Sequence, residues 1–220
     1  MSSRKPGRPV ADEAIEADRV LMHAVNAFAE QGYEAVSMRR LSSELGMGHT
    51  FLSDRYGTKE GLWRAAVEHA VGRAAPLVTD ALRTADGDDL SRLVGAIRAL
   101  HRAAANAAGL ALLIDSEAHR DTPRLAHLFE LMRPINDELQ AVFDRAVASG
   151  VIRPMPWYLF YFLVTSPTSL YAQPPLARLL GRPDGASDHE LLSDIVLGGL
   201  LAPGAPATSH LDHAGHDSRT

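Results

Sequence analysis

Apolar residues recur every three or four positions along nearly the whole chain, and nowhere do they alternate with polar ones over the length of a strand. Between Asp12 and Gln31 the stripe Val20, Leu21, Ala24, Val25 and Phe28 predicts an amphipathic helix that Gly32 ends. Met38, Leu41 and Leu45 predict a second, short helix with Ser37 as its N-cap. Gly46 stops it, because a helix C-terminus favours the positive φ that glycine adopts without penalty. After the turn Gly46-Met47-Gly48, a third helix is predicted from about His49 to Tyr56. Leu52 and Tyr56, four apart, face inward there and leave His49, Thr50, Ser53 and Arg55 on exposed or flanking positions. Two short helices joined at a steep angle by a glycine turn form a helix-turn-helix, and the second of such a pair fits the major groove of DNA.

The remaining pattern is helical as well. Thr58 is placed to cap a long helix from Lys59 to about Arg83, in which Leu62, Trp63, Ala66, Val67 and Ala70 repeat at helical intervals. Pro76 is expected to kink or split it. Clusters of Gly, Pro, Asp and Thr then cut the chain into helices near 89–107, 109–120, 123–148, 155–173, 175–180 and 187–201. The run Trp157 to Val164 is apolar around its whole circumference, so a helix there needs cover on more than one side. The segment holding Leu191, Leu192, Ile195, Val196, Leu197, Leu200 and Leu201 adds Gly198 and Gly199, which permit close approach. The division that follows is a disordered basic arm at 1–11, a reading domain at 12–62, a helical domain at 63–201, and a disordered tail at 202–220 rich in Pro, Gly, Ala and His.

Composition narrows the chemistry. The 220 residues include no cysteine, which excludes disulfides, thiolate metal sites and a thiol nucleophile. A phosphate-binding glycine loop with lysine, a dinucleotide glycine pattern, a His-Glu-x-x-His pair and a Gly-x-Ser-x-Gly elbow are all missing, so an enzyme is not expected, nor a cofactor. His210, His213 and His216, spaced three apart, fit a solvated tail better than a metal site. The N-terminus lacks the apolar core of a secretory signal. The longest apolar run, Met155 to Val164, is about half the ~20 residues that span a bilayer, so no membrane segment and a cytoplasmic location are expected. The formal net charge of −5 is not what a DNA-binding protein suggests. Its distribution alters the picture, because Arg4, Lys5 and Arg8 sit in a first stretch of ten residues without an acid, and phosphate binding depends on local charge. Such an arm reaches the DNA backbone or the minor groove, or is simply a solvated tail.

From Arg19 through Leu62 the chain resembles the tetracycline-repressor-type (TetR) transcriptional regulators. The resemblance rests on Phe28-Ala29-Glu30-Gln31-Gly32-Tyr33 at the end of the first helix, the Gly46 turn, and Tyr56-Gly57-Thr58-Lys59-Glu60 before the fourth. It departs at Ser53, where the family usually has tyrosine, and at Gly48, where it often has serine. The resemblance implies an all-α protein in which a three-helix DNA-binding domain precedes a helical bundle for ligand binding and dimerisation. It also implies DNA contacts by Ser37, Arg39, His49, Thr50, Phe51, Ser53, Arg55 and Lys59, and a four-helix dimer bundle built from the last two long helices of each subunit. By side-chain type, Arg39 and Arg55 can fork onto guanine or clamp phosphate, Lys59 suits the backbone, and Phe51 either meets a thymine methyl or packs in the core. The expected protein is a homodimeric repressor that binds a palindromic operator and is released by a small, largely apolar effector. Residues considered for the effector are Phe129, Met132, Trp157, Tyr158 and Tyr161 as apolar lining, with His101, His119 and Arg133 as polar groups. Two alternatives stand beside this reading: a DNA-binding regulator or architectural protein without a ligand, and a helical enzyme or binding module that never meets DNA.

Overall fold

The structure, a computed structural model, describes the backbone of residues 10–84 and 87–203 and, within those ranges, the side chains from residue 16 onward. Arg4, Lys5 and Arg8 of the basic arm and the tail histidines His210, His213 and His216 lie outside the described residues. Among the described residues there are eleven α-helices and no strand; one isolated antiparallel bridge joins Ile152 to Leu201. The helices are α1 (Val10–Gln31), α2 (Met38–Glu44), α3 (Phe51–Tyr56), α4 (Lys59–Thr84), α5 (Asp89–Asn106), α6 (Ala108–Ala118), α7 (Pro123–Ala148), α8 (Trp157–Thr165), α9 (Ser169–Ala172), α10 (Pro174–Leu179) and α11 (His189–Leu200).

Packing divides the chain into two units, with the boundary falling inside α4 after Ala75, between α5 and α6, and inside α7 after Met132. In the first unit the stripe of α1 is buried as its periodicity requires, Val20, Ala24, Val25 and Phe28 each being 2% exposed or less. Against it lie Leu41 of α2, Leu52 of α3, Leu62, Trp63 and Val67 of α4, and Leu110, Leu113 and Leu128 from α6 and α7. α6 packs directly on α1, and the side chain of Asn26 fills the space that a Cβ at Gly109 would take. The second unit is built on α5 and α11, with Phe143 of α7 and Phe160 of α8 closing its core beside Leu93, Ile97, Leu197 and Leu200.

The helix boundaries show where local rules were overridden. α4 runs unbroken through Pro76, which does not split it. Proline removes one amide and presses on the carbonyl four residues back, here that of Gly72. Both residues are on the solvent side, where water can satisfy the displaced carbonyl. The predicted helix at 155–173 is instead broken: α8 ends at Thr165, Ser166–Thr168 form a 3₁₀ turn that contains Pro167, and α9 resumes at Ser169. The third helix starts at Phe51 rather than His49, because the amide of Phe51 donates to the carbonyl of Gly48 (3.0 Å) and closes a turn through His49 and Thr50 first.

Candidate nucleic-acid interface

α2 is capped at both ends, and a leucine lies underneath each of the two short helices of the first unit. Ser37 has extended backbone, and its Oγ accepts from the amide of Arg40 at 3.5 Å, a long N-cap bond. At the other end the amide of Gly46 donates to the carbonyl of Ser43 (3.0 Å) and that of Met47 to Ser42 (2.8 Å). This paired C-terminal motif needs a left-handed residue, and Gly46 supplies it with φ 71°. Ser42, fully buried, returns its hydroxyl to the carbonyl of Met38 at 3.0 Å, so no polar atom of its side chain is stranded. Thr58 caps α4, its Oγ1 accepting from the amide of Gly61 at 3.0 Å, which places Lys59 in the first helical position.

With Leu41 and Leu52 turned inward at 1% exposure each, the opposite faces of α2 and α3 meet solvent. Ser37, Arg39, His49, Thr50, Ser53 and Arg55 are all exposed. Arg39 has no hydrogen-bond or ion-pair partner among the described residues, and its forked donor face is open. Its neighbour Arg40 is engaged with Gln31 and with Glu44 (3.2 Å), and Glu44 also takes His23 (3.1 Å). The one carboxylate of α2 is thereby neutralised without drawing on Arg39. Arg55 lies 5.9 Å from the Tyr56 ring centre, and the hydroxyl of Ser53 donates to the carbonyl of Thr50 (2.8 Å) across the first turn of α3. Phe51 is half-buried and packs on the core of the unit, so the core reading of this residue is the one its position favours. Lys59 is half-buried too: its Nζ donates to the carbonyl of Glu34 (3.1 Å) and stands 4.7 Å from the Tyr33 ring centre.

The eight residues considered for an effector divide between the units, with His119, Phe129 and Met132 in the first and His101, Arg133, Trp157, Tyr158 and Tyr161 in the second. In the second unit Trp157 and Tyr161 join Phe143 and Phe160 in one aromatic cluster with neighbouring centroids 4.4–6.1 Å apart. Burial pushes the Tyr161 hydroxyl up from its usual value. Tyr158 and Phe129 are instead exposed at 66% and 55%, and Met132 packs on the first core. Arg133 is exposed. His119 is exposed at the end of α6, its Nδ1 against the carbonyl of Asp115 (2.7 Å). His101 is fully buried, with Nε2 2.9 Å from the carbonyl of Val164 and Nδ1 2.8 Å from Ser193 Oγ. A carbonyl only accepts, so Nε2 carries the proton, and protein groups occupy both nitrogens. The ring ties α5 to α8 and α11 and offers nothing to a ligand. Burial pulls its pKa below 6.5, partly opposed by the bond to Val164.

A cluster that periodicity did not single out surrounds Tyr33. The Arg124 guanidinium lies 4.0 Å from the Tyr33 ring centre, and its Nε donates to Glu117 Oε1 at 3.0 Å. Glu117 is 6% exposed and also accepts from Thr122 (3.2 Å). Among the described residues no group of three His, Cys, Asp or Glu is placed to hold a metal, and no helix is long and apolar enough to cross a membrane.

Comparison with known proteins agrees with this geometry. The model of bacterial regulatory proteins of the tetR family matches residues 20–66. The HTH-type transcriptional repressor BdcR of Escherichia coli (strain K12) is 34% identical over 84 residues, which cover 37% of this chain and 40% of the repressor. The chain thus spans about two fifths of that relative's length. Among solved structures, the ketosteroid transcriptional regulator KstR2 of Mycobacterium tuberculosis matches with a TM-score of 0.68 at 20% identity, over 91% of this chain and 100% of that one. AibR, solved in complex with isovaleryl coenzyme A and operator DNA, matches with 0.69 at 19% identity over 86% and 99%. At such identities what is shared is the fold, helical throughout.

Proposed function

We infer that this chain, whose residues 20–66 match the model of bacterial regulatory proteins of the tetR family, is a homodimeric transcriptional repressor that acts on DNA rather than a catalyst. It binds a palindromic operator in the cytoplasm and is released by a small, largely apolar effector. The observation that carries this reading is the two-sidedness of α2 and α3, leucine-anchored below and bearing Ser37, Arg39, His49, Thr50, Ser53 and Arg55 in solvent above. A short helix so presented enters the major groove, where a forked guanidinium from Arg39 or Arg55 meets guanine and the hydroxyls meet phosphate or base edges. Lys59 adds a point charge for the backbone. We assign this role to a reading domain at 12–62 and the effector and dimer functions to 63–201.

Dimerisation is supported by apolar side chains that the single chain leaves in water: Tyr158, Leu159, Phe162 and Leu163 on α8, and Leu191 and Ile195 on α11, the last two 65% exposed. Gly198 and Gly199 beside them have open space where a side chain would stand. A symmetric pairing of these faces gives two readers whose half-sites lie about one DNA turn apart or a multiple of it. The effector reading is supported by the aromatic cluster around Trp157 and Tyr161; AibR, which shares the fold, was solved with isovaleryl coenzyme A, whose acyl end alone is apolar, and operator DNA. The test is recovery of DNA from a random-sequence pool by the purified protein. Enrichment of an inverted repeat supports the reading, and a pool left unenriched refutes it.

A further inference from the structure

Five side chains from five segments of the first unit are linked into one chain of contacts. Glu117, near the C-terminus of α6, is almost fully buried and paired with Arg124, the second residue of α7, whose side chain is 13% exposed. The Arg124 guanidinium lies 4.0 Å from the ring centre of Tyr33, in the α1–α2 connection. The ring stacks on buried Phe28, with centroids 5.8 Å apart and planes 15° from parallel. The ammonium of Lys59 stands 4.7 Å from the same ring centre, with one donor fixed on the carbonyl of Glu34.

Each contact has a physical function. A buried carboxylate is tolerated because an arginine and the Thr122 hydroxyl hydrogen-bond it. The arginine in turn has a planar face to give, and a tyrosine ring attracts it through its quadrupole. A lysine at a helix start has a long, freely rotating stem, so its charge sits in a defined place only if something holds the ammonium. Here the Tyr33 ring and the Glu34 carbonyl hold it, three residues before Ser37 opens α2. The ring can hold Lys59 only while its own plane is fixed; Phe28 and Arg124 hold its faces, and Glu60 acts on its hydroxyl.

We propose that Arg124 and Glu117 are positioning residues for DNA binding: through the ring of Tyr33, the corner between α6 and α7 sets where the Lys59 ammonium stands on the DNA-facing surface. The proposal rests on the DNA-binding reading given above. It adds the route by which a change at the α6–α7 corner alters affinity for the phosphate backbone, without touching any residue that reads a base. Neither Arg124 nor Glu117 need meet DNA for this to operate.

The experiment uses the full chain and the double variant Glu117→Gln/Arg124→Gln, which keeps a hydrogen-bonding pair and strands no buried charge. The first readout needs no DNA. The Lys59 ε-methylene protons of the unaltered protein are shifted upfield by the Tyr33 ring current. In the double variant they move toward the position of a free lysine, as they do fully in Tyr33→Leu. The second readout is affinity for DNA selected from a random pool, across a salt series. The double variant weakens binding about fivefold, the scale of one exposed to partly desolvated cation–ring contact, and lowers the salt slope by up to about 0.9, one phosphate contact. Combined with Lys59→Ala, it weakens binding no further than Lys59→Ala does alone. Arg124→Lys, which keeps the charge without the planar face, restores the affinity only in part. An unmoved Lys59 signal in a folded double variant, or losses that simply add to that of Lys59→Ala, overturns the proposal. A moved signal in a protein that binds no DNA at all instead refutes the DNA-binding reading, and the positioning role with it.

Discussion

Leu52→Ala tests whether the reading helix exists only because its buried side chain holds it. α3 has six residues, and an isolated helix shorter than about 12 is marginal in water, so its order comes from packing. Leu52 is its one fully buried residue, 1% exposed, while Phe51 and Tyr56 are half-buried. Truncating a leucine in such a site costs about 2.5–5 kcal/mol in lost transfer energy and residual cavity. At 1.4 kcal/mol per factor of ten, the closed-to-open ratio of α3 falls by about two to nearly four orders of magnitude. The reporters are the amides of Asp54 and Gly57, bonded to the carbonyls of Thr50 (2.8 Å) and Ser53 (2.9 Å). Their hydrogen exchange accelerates by that factor or up to the rate of an open chain, and DNA binding falls with the closed fraction. Phe51→Ala gives the same signs with a smaller size. Unchanged exchange at Asp54 and Gly57 in a folded Leu52→Ala protein would refute the reasoning.

The remaining predictions concern bases, assembly and pH. Arg39→Ala or Arg55→Ala costs about 1–3 kcal/mol on the selected DNA and relaxes preference at one position, whereas Lys59→Ala weakens all sequences alike; equal losses on specific and random DNA would reduce both arginines to phosphate contacts. Ile195→Glu, on the exposed face of α11, yields a folded monomer by sedimentation at micromolar concentration, with weakened DNA binding. Leu197→Glu is unsuited to that test, because Leu197 is 2% exposed in the core of the second unit and a charge there unfolds it. His101 is held neutral by burial, with a pKa below its unfolded 6.5, so the unfolded chain binds more protons between those two values. Stability is full above pH 6.5 and declines as pH falls toward the folded pKa; urea midpoints measured from pH 7.5 to 5 show this slope in the unaltered protein, and a folded His101→Gln variant shows less of it.

Much of the first unit was legible because it obeys local rules. Ser37, Gly46 and Thr58 mark helix ends through single-residue capping chemistry, and the α1 stripe is a direct consequence of its period. What could not be read was decided at long range. Pro76 is tolerated inside α4 because its face meets solvent, a fact no window of sequence contains. Residues 107–132 join the first unit because α6 lies on α1, with Gly109 against Asn26, 83 positions away in sequence. At the candidate interface, exposure of Arg39, Ser53 and Arg55 follows from the helix period, while the engagement of Lys59 with Tyr33 and Glu34 does not. Arg124 and Glu117 carry no motif; they matter only because folding brings them to Tyr33. His101 looked available for a ligand by residue type, and its two partners sit 63 and 92 positions away.

The most direct test of the account is titration of the purified protein onto a selected inverted repeat and onto a scrambled duplex of the same length, in rising salt. The account predicts two chains per repeat, a linear fall of log affinity with log salt set by the phosphates neutralised, and binding to the scrambled duplex weaker by about 10³-fold or more. Equal affinity for the two duplexes at every salt concentration would contradict it.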